Sequence, residues 1–303
     1  MSGRLTLIDA MQANLVLGGI VEEHQKAVPA LAYFPAIQIP NGIKYTSQFM
    51  VELPTTGFRK LGQGMSPSKG RYEEREFKTH IFGGRAEAEI AAYAADSGGE
   101  GAVKARVVRG TQQSALETLD NQIFYGTAAD EDGFPGLKQF TPFGGAYTYN
   151  VAGTTANGTM SVYGVKFGED YASINYAKGD PFNLGEWRRV DLEDADGKKF
   201  PGEAADLEGW IGLAIKHKAS VVRLCNITAE TGKKLTDVML RNALLLLPTK
   251  MKPDVWFMNK TAQAQLQDSR ATPEVPYAPT PTESNGIPIV IDDSILTTDA
   301  VEA

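Results

Sequence analysis

Apolar residues between positions 101 and 125 recur at the spacing of an α-helix. Val103, Val107 and Leu119 are separated by multiples of four residues, so their side chains share one helical face. A helix of about 25 residues forms a rod of roughly 37 Å. Gly126 follows directly and is a suitable C-cap. The pattern therefore predicts one long helix with a face that packs against the rest of the chain.

Strand patterns dominate the chain after this helix. Short runs of β-branched and aromatic residues alternate with turns that contain Gly and Asp, and they predict strands at 161–167, 173–176, 186–192, 211–217 and 221–227. Further on, the pattern predicts a helix at 235–247, a strand at 255–258, a helix that follows the cap Asn259, and a strand at 286–292. Helices and strands are mixed along the chain, and we expect an α+β fold.

Residues 45–90 contain two strand-like runs, at 45–53 and 76–82, separated by a long connection. The large apolar side chains of this connection are Phe58, Leu61, Met65 and Tyr72. Hairpin loops usually have ~2–5 residues, and a longer loop with so few apolar groups does not pack a core of its own. Its charged residues have both signs, as a docking element needs. The connection is therefore expected to be either disordered or ordered by a neighbouring chain.

Residues 1–44 are predicted to begin with a short helix at 5–17 and to continue as an extended arm. Pro29, Pro35 and Pro40 prevent a continuous helix and remove backbone hydrogen-bond donors. An extended arm has no core of its own, so its apolar side chains need cover from elsewhere. These side chains are Leu31, Tyr33, Phe34, Ile37 and Ile39.

Charge and composition narrow the possible functions. The 303 residues include 30 Lys and Arg against 37 Asp and Glu, and the net charge of −7 argues against nucleic-acid binding through a basic surface, although not against enclosure of nucleic acid. The single cysteine, Cys225, forms no internal disulfide, and three histidines do not make a histidine-rich metal site. The longest wholly apolar stretch, 243–247, is far shorter than the ~20 residues that cross a bilayer. We expect a soluble protein of a reducing compartment, with Cys225 and the leucine run 244–247 in its core.

Motifs for catalysis or ligand binding are scarce. The glycines at 57 and 62 have the spacing of a phosphate loop, but Gln63 occupies the position of the essential lysine. Asp194 and Asp196 match part of a calcium-loop pattern, yet Leu192 stands at the first ligand position, so a hairpin turn explains them better. The three histidines have no nucleophile or ligand partner close in sequence. A carboxylate pair assembled by the fold stays an open alternative.

Three groups of motifs, taken in order, resemble one known family. The first is the helix exit at 121–126, followed by Gly-Phe-Pro-Gly-Leu at 133–137. The second is the β-rich block from 161 to 227, which ends in Val-Val-Arg-Leu-Cys-Asn-Ile. The third is Val-Trp-Phe-Met-Asn at 255–259, with Gly-Ile-Pro-Ile-Val-Ile following after a helix. This order is similar to that of the major capsid proteins of tailed bacteriophages, which have the Hong Kong 97-type fold.

The resemblance implies a fold with an arm, an extended loop, a long spine helix, and peripheral and axial domains. The implied parts are an N-terminal arm (1–44), an extended β-hairpin loop (45–90), a peripheral domain (91–137) with a spine helix (101–125), a β-rich body (138–230), an axial-type helical segment (231–285), and a C-terminal strand with an acidic tail (286–303).

The resemblance also implies a structural role, without enzyme activity, cofactor or metal. It implies self-assembly into pentamers and hexamers of an icosahedral shell, which is built in the host bacterial cytoplasm and becomes part of the virion. The shell would enclose double-stranded DNA without sequence-specific binding, and no membrane partner is expected. Because the chain starts close to the arm, without a long helical leader, we expect a separate scaffolding protein, together with portal and decoration proteins.

Contacts between subunits are expected from the arm and the loop, whose side chains lack cover in their own chain. The predicted contact residues are Tyr33, Phe34, Ile37, Phe58, Arg59, Lys60, Leu61, Met65, Lys69, Arg71, Tyr72, Glu73 and Glu74. Three other functions stay open at this point: the shell of a cargo-enclosing nanocompartment like an encapsulin, a carbohydrate-active enzyme with a carboxylate site, and a calcium-binding module at 194–203.

Overall fold

The structure of the chain is a computed structural model that describes residues 28–40, 42–177, 182–271 and 278–302. The helix predicted at 5–17 lies outside these residues. The helices are α1 (Ala30–Tyr33), α2 (Ile90–Ala95), α3 (Gly99–Tyr125), α4 (Leu137–Phe140), α5 (Asp237–Leu245) and α6 (Lys260–Ser269). The strands are β1 (Ala36–Gln38), β2 (Lys44–Glu52), β3 (Arg71–Lys78), β4 (His80–Glu89), β5 (Thr148–Asn150), β6 (Met160–Val165), β7 (Ala172–Tyr176), β8 (Asn183–Leu184), β9 (Arg188–Glu193), β10 (Lys199–Ile215), β11 (Val221–Ile227), β12 (Val255–Met258), β13 (Glu283–Ser284) and β14 (Ile287–Ile291).

The long helix expected from the sequence is confirmed as α3, the spine helix. Its predicted face is turned inward, since Val103, Leu119 and Ile123 are all buried. Gly126 ends the helix with a φ of 59°, and a Cβ at this position would lie 2.1 Å from the amide nitrogen of Gly136. Only glycine suits both the positive φ and this close approach. The direction in which the chain leaves the helix is therefore fixed by two glycines in contact.

The first sheet packs against α3. Its main path is β1–β7–β10–β4, and β8 and β9 also pair with β10. β10 is 17 residues long, whereas the sequence predicted a strand only at 211–217. Its first half was missed because Pro201, Gly202 and several acids interrupt the strand pattern. Pairing with β9 and β4 holds that half extended, an effect that only the assembled sheet provides.

The second sheet runs in the order β13–β14–β12–β6–β11–β5. Its strands β6, β11 and β12 are buried along their whole length. Leu240 of α5 and Leu266 of α6 pack with Trp256 in a core on one face of this sheet. The expectation that the whole leucine run 244–247 lies in the core is wrong, because Leu245 is 76% exposed.

Residues 28–40, which belong to the predicted arm, are covered largely by their own chain, which differs from the expectation from the sequence. Leu31 and Phe34 are fully buried, and the ring centroid of Phe34 lies 4.9 Å from that of Phe167. β1 joins the first sheet as a parallel partner of β7. The prediction of Phe34 as an inter-subunit contact is therefore wrong, because no part of its side chain is left for a neighbour. The residues that cover it are distant in sequence, so local patterns did not reveal them.

Candidate functional site at the β2–β3 hairpin

The β2–β3 hairpin is held together by contacts between its own strands. Tyr45 lies opposite Phe77, and their stacked rings have centroids 5.3 Å apart. Gln48 Nε2 donates a hydrogen bond to Glu74 Oε1 at 2.9 Å. Cross-strand pairs of this kind contribute roughly 0.2–1 kcal/mol each. The hairpin therefore forms locally, with Phe77 at its base as the residue that anchors it in the subunit.

The connection between the two strands, residues 53–70, is called the tip here. Phe58 and Leu61 of the tip are fully exposed, and Met65 is 60% exposed. Full burial of an apolar side chain of this size is favourable by about 1.5–3 kcal/mol. A surface that covered these three side chains would therefore be bound strongly, and the described residues of their own chain do not provide it.

Charge also distinguishes the tip from the rest of the chain. Arg59, Lys60 and Lys69 lie in it, and its sequence contains no Asp or Glu, whereas the whole chain has a net charge of −7. Arg59 uses Nη1 to donate to the backbone oxygen of Gln63 at 2.9 Å, which leaves its charge uncompensated by this contact. A basic tip on an acidic subunit is attracted to other copies of that subunit.

The stem of the hairpin carries charges that pair within the hairpin. Arg71 lies 3.9 Å from Glu52, and Arg75 lies 3.4 Å from Glu73. The Arg71–Glu52 pair is largely exposed to solvent, and such pairs contribute little, about 0–1 kcal/mol. It can be exchanged at low cost for contacts with a neighbouring molecule. Arg75 is more buried and also donates to the backbone oxygen of Lys216 at 3.1 Å.

A groove of about 1130 Å³ opens at the base of the hairpin. Phe77 and Leu213 line one side of it, and Phe140 and Tyr147 line the side near the end of the spine helix. β2 has nine residues and spans about 30 Å, so the tip lies at the far end of the hairpin from this groove. A subunit therefore does not fill its own groove with its own tip.

Most of the predicted contact residues lie on the exposed hairpin. These are Phe58, Arg59, Lys60, Leu61, Met65, Lys69, Arg71, Tyr72, Glu73 and Glu74. Tyr33 and Ile37 are half-buried in their own chain, and Phe34 is buried as described above. Contact of the exposed residues with a neighbouring subunit stays a prediction.

Several apolar residues of this surface were not predicted from the sequence. Ile43, Met50, Val51 and Leu53 are all exposed on or next to β2. A signal was present, because Phe49, Met50 and Val51 are consecutive and successive side chains of a strand point to opposite faces. Three such residues in a row place large apolar groups on both faces of a strand that has little cover.

The calcium-loop pattern is a hairpin turn between β9 and β10, as expected. Asp194 Oδ1 accepts hydrogen bonds from the amides of Asp196 at 2.9 Å and Lys198 at 2.8 Å. Among the residues that the structure describes, no group of three or more His, Cys, Asp and Glu is arranged to hold a metal ion. None of the helices in the described part of the chain has the length and apolarity of a membrane span.

Two side chains of β11, Cys225 and Arg223, are buried in surroundings that suit a structural role. Cys225 is fully buried, as the sequence predicted, and burial raises its pKa to about 11, which disfavours the reactive thiolate at neutral pH. Arg223 is also buried, and its Nη1 donates to Glu302 Oε2 at 2.9 Å. This ion pair holds the C-terminal segment against strand β11 of the second sheet.

The fold is similar to that of solved capsid structures. The chain of bacteriophage Epsilon15 is 19% identical, with a TM-score of 0.68 over 99% of this chain and 97% of that chain. The bacteriophage JBD30 capsid is 10% identical, with a TM-score of 0.56 over 89% of this chain and 91% of that chain. The SrpI encapsulin of Synechococcus elongatus is 9% identical, with a TM-score of 0.50 over 75% of this chain and 97% of that chain. These likenesses confirm the α+β, Hong Kong 97-type fold.

The sequence was also compared with curated proteins and with family models. A search of curated protein sequences found no match. The family model described as major capsid protein GP7 matches residues 14–301. This match indicates a structural subunit that self-assembles into the shell of a virion. The likeness to phage capsids agrees with it in fold. The chain therefore belongs to the major capsid protein GP7 family and is a capsid subunit of a tailed bacteriophage.

Proposed function

We propose that the hairpin joins neighbouring copies of this chain, with the tip of one subunit lying in the groove of the next. The observation that carries this proposal is the uncovered tip, in which Phe58 and Leu61 are fully exposed. The groove offers the matching surface, since Phe77, Phe140 and Leu213 line it.

Tip and groove are different surfaces of the same subunit, so the contact between two copies is heterologous. A heterologous contact closes into a ring when the rotation that relates two neighbouring copies is a whole fraction of 360°. Otherwise the copies continue as an open filament. Pentamers and hexamers are closed rings of this kind. The proposed rings then form the icosahedral shell.

A second contact between subunits is proposed at α5. Val238 and Leu245 are seven residues apart, so they lie on one face of the helix, and both are exposed. Thr236 caps this helix by accepting a hydrogen bond from the Met239 amide at 3.3 Å, which fixes where it begins. An exposed apolar face on a well-capped helix supports the axial-type role proposed for residues 231–285.

The proposal extends to partners and to place of assembly. It includes a separate scaffolding protein, a portal protein and a decoration protein, with assembly in the host bacterial cytoplasm. The shell encloses double-stranded DNA without sequence-specific contacts, which the net charge of −7 supports because an acidic subunit repels phosphate. The same proposal includes the division of the chain into arm, hairpin loop, peripheral domain, β-rich body and axial-type segment. It includes no catalytic step.

A nanocompartment shell is the second candidate function. It is favoured by one observation, the similarity of the fold to an encapsulin at a TM-score of 0.50. The match to a capsid family over residues 14–301 favours the phage head. Particles purified from the native source distinguish the two, because a phage head contains double-stranded DNA and a nanocompartment contains protein cargo.

Deletion of residues 56–70 tests the role of the tip. Leu53, Pro54 and Thr55 would then connect Glu52 to Arg71, which is a suitable length for a hairpin loop. Because the tip contributes no buried side chains to its own subunit, we expect a folded subunit with an unchanged thermal midpoint that forms no closed particles. Circular dichroism and negative-stain electron microscopy measure the two results.

The matched control replaces residues 56–70 by glycine and serine at equal length, which keeps the reach of the loop and removes its apolar side chains. Both variants should fail to assemble if the side chains make the contact. Normal particles from both variants would contradict the proposal, and so would unfolding of the deletion variant, since that would show that the tip packs in its own subunit.

A further inference from the structure

Two carboxyl groups are buried side by side where three segments of the chain meet. Asp120 belongs to the spine helix α3, and Asp292 follows the last strand β14; both are completely buried. The backbone of Leu31 lies next to Asp120, and the backbone of Ala30 lies next to Asp292, both in α1. The pair therefore sits at the joint between the N-terminal segment, the spine helix and the C-terminal segment.

As two carboxylates, these groups would leave three of their four oxygens without a hydrogen-bond donor among the described residues. Both oxygens of Asp120 and Oδ2 of Asp292 have no hydrogen-bond partner among the described residues. Asp292 Oδ1 accepts from the Ser294 amide at 2.9 Å. The Ser294 side chain and the Leu31 amide lie beside Asp120 and favour its charged form, yet neither meets hydrogen-bonding geometry with it. Buried acceptors without donors are costly, and two adjacent negative charges increase that cost.

The charged groups nearby do not neutralise the pair. Asp293 follows Asp292 directly, and its negative charge is compensated by Lys260 of α6 at 3.1 Å. Glu117, one turn before Asp120 on α3, lines a small polar cleft together with Asp293, so it adds negative charge on that side. Tyr125, at the end of α3, has its hydroxyl oxygen occupied by the Leu296 amide at 2.8 Å. In the described part of the chain, no metal-binding cluster of His, Cys, Asp and Glu occurs here.

We propose that Asp120 and Asp292 share a proton, which makes one carboxyl group the hydrogen-bond donor of the other and closes the joint between α1, α3 and the segment after β14. A proton is the smallest group that removes the repulsion and also supplies a donor to an unpartnered oxygen. An O–H···O⁻ bond between carboxyl groups is short and strong. The joint is consequently sensitive to pH.

The electrostatic surroundings support this assignment and give the sign of the pH effect. Burial, and then the charge of Asp292, raise the pKa of Asp120 far above its ordinary value; burial also raises the pKa of Asp292. A carboxyl group whose pKa is raised in the folded state stabilises the fold most at low pH. Its contribution is lost as the pH rises from the unfolded value, about 4, towards the folded value. Per proton, the folding equilibrium constant falls by up to about tenfold per pH unit in this range.

Asp120→Asn and Asp292→Asn test the shared proton in the full-length subunit. An amide keeps the shape of the carboxyl group and donates a hydrogen bond without a titrating proton. Urea unfolding, followed by the fluorescence of the buried Trp256, gives the folding equilibrium constant at each pH from about 5 to about 9. We expect the ratio of variant to wild-type constants to rise with pH, by up to about tenfold per unit. A ratio that does not depend on pH would overturn the proposal.

Asp293→Asn is the matched control, because it changes the next residue, whose carboxylate is partly exposed and paired with Lys260. The ratio of its folding equilibrium constant to that of the wild type should not rise with pH in this range. Infrared spectroscopy of the wild-type subunit in heavy water provides a measurement that needs no variant. A carbonyl band of a protonated carboxylic acid should be present at neutral pH and should disappear on alkaline titration. Absence of that band at neutral pH would also overturn the proposal.

Discussion

The spine helix and the β2–β3 hairpin are both long elements of the same subunit, but they are stabilised in opposite ways. Leu119 and Ile123 of α3 are buried in the core of their own chain. Phe58 and Leu61 of the hairpin are fully exposed. The helix is complete once the subunit has folded, whereas the apolar side chains of the hairpin are still in water at that stage.

Under the contact proposed between tip and groove, this difference separates folding of the subunit from assembly of the shell. The free energy that holds one subunit together comes from burial in the two cores, and the free energy available for joining subunits stays on the tip and on exposed helix faces. Substitutions in the two regions should therefore have separable effects. Substitutions in the core should prevent the subunit from folding. Substitutions in the tip should prevent assembly of the shell while the subunit stays folded.

Leu119→Asp should have the largest effect on the subunit. Leu119 is 2% exposed and packs in the core with Phe34 and Ile123. Loss of the leucine costs about 2–5 kcal/mol, and placing a charge in an apolar core costs several more. The sum is comparable with the whole stability of a domain, about 5–15 kcal/mol. We expect an insoluble protein, or one without a cooperative thermal transition in circular dichroism.

Ala105→Asp is the control on the same helix, because Ala105 is exposed. It should cost less than about 1 kcal/mol, the difference in helix propensity between the two residues. Equal thermal midpoints for the two variants would show that the predicted face of α3 is not the buried one.

Glu302→Gln should have an intermediate effect. It leaves the positive charge of the buried Arg223 without its partner, and loss of one member of a buried pair costs about 3–5 kcal/mol. Burial alone would raise the pKa of Glu302, but the hydrogen bond and charge of Arg223 bring it below the ordinary value. The contribution of Glu302 is therefore present above about pH 4 and lost as the pH falls through the folded pKa.

The measurement is urea unfolding of wild type and variant at about pH 7 and about pH 3. The difference in unfolding free energy should shrink at the acidic value, because below the unfolded pKa the unfolded chain binds a proton at Glu302 more readily than the folded subunit does. Glu283→Gln is the control, since this carboxylate is exposed and a change there should stay within about 0.5 kcal/mol. If the difference in unfolding free energy did not depend on pH, the negative charge of Glu302 would not be what stabilises the buried Arg223. This pH dependence is opposite in sign to that of the Asp120–Asp292 pair, whose contribution to stability is expected to be lost as the pH rises.

The contrast between helix and hairpin was largely predictable from the sequence, because both regions are recognised by local patterns. The period of four in α3 marks a buried face, and a tip with few apolar residues cannot build a core. Most strands of the second sheet were predictable for the same reason, since β6, β11, β12 and β14 are predominantly apolar runs between turns.

Other features depend on residues far apart in sequence and were therefore not visible. Phe34 looked like an arm residue in need of a neighbour, but its cover comes from Phe167 and Phe257. Arg223 was part of a recognisable motif, yet its role requires Glu302, 79 residues later. In the candidate site, the groove could not be predicted at all, because the hairpin base and the loop after the spine helix meet only in the fold.

A triple substitution of Phe58, Leu61 and Met65 to Ser should have the smallest effect on the subunit and a complete effect on assembly. All three side chains are already exposed to water in the free subunit, so their removal costs the fold nothing, and the unfolding free energy should stay within about 0.5 kcal/mol of wild type. In the shell, each would forfeit about 1.5–3 kcal/mol of burial at every contact. Sedimentation velocity should show free subunits, while Thr56→Ser with Gln63→Ser, a polar change in the same tip, should still give particles. Particles from the triple variant would show that the hairpin is uncovered for a reason other than assembly.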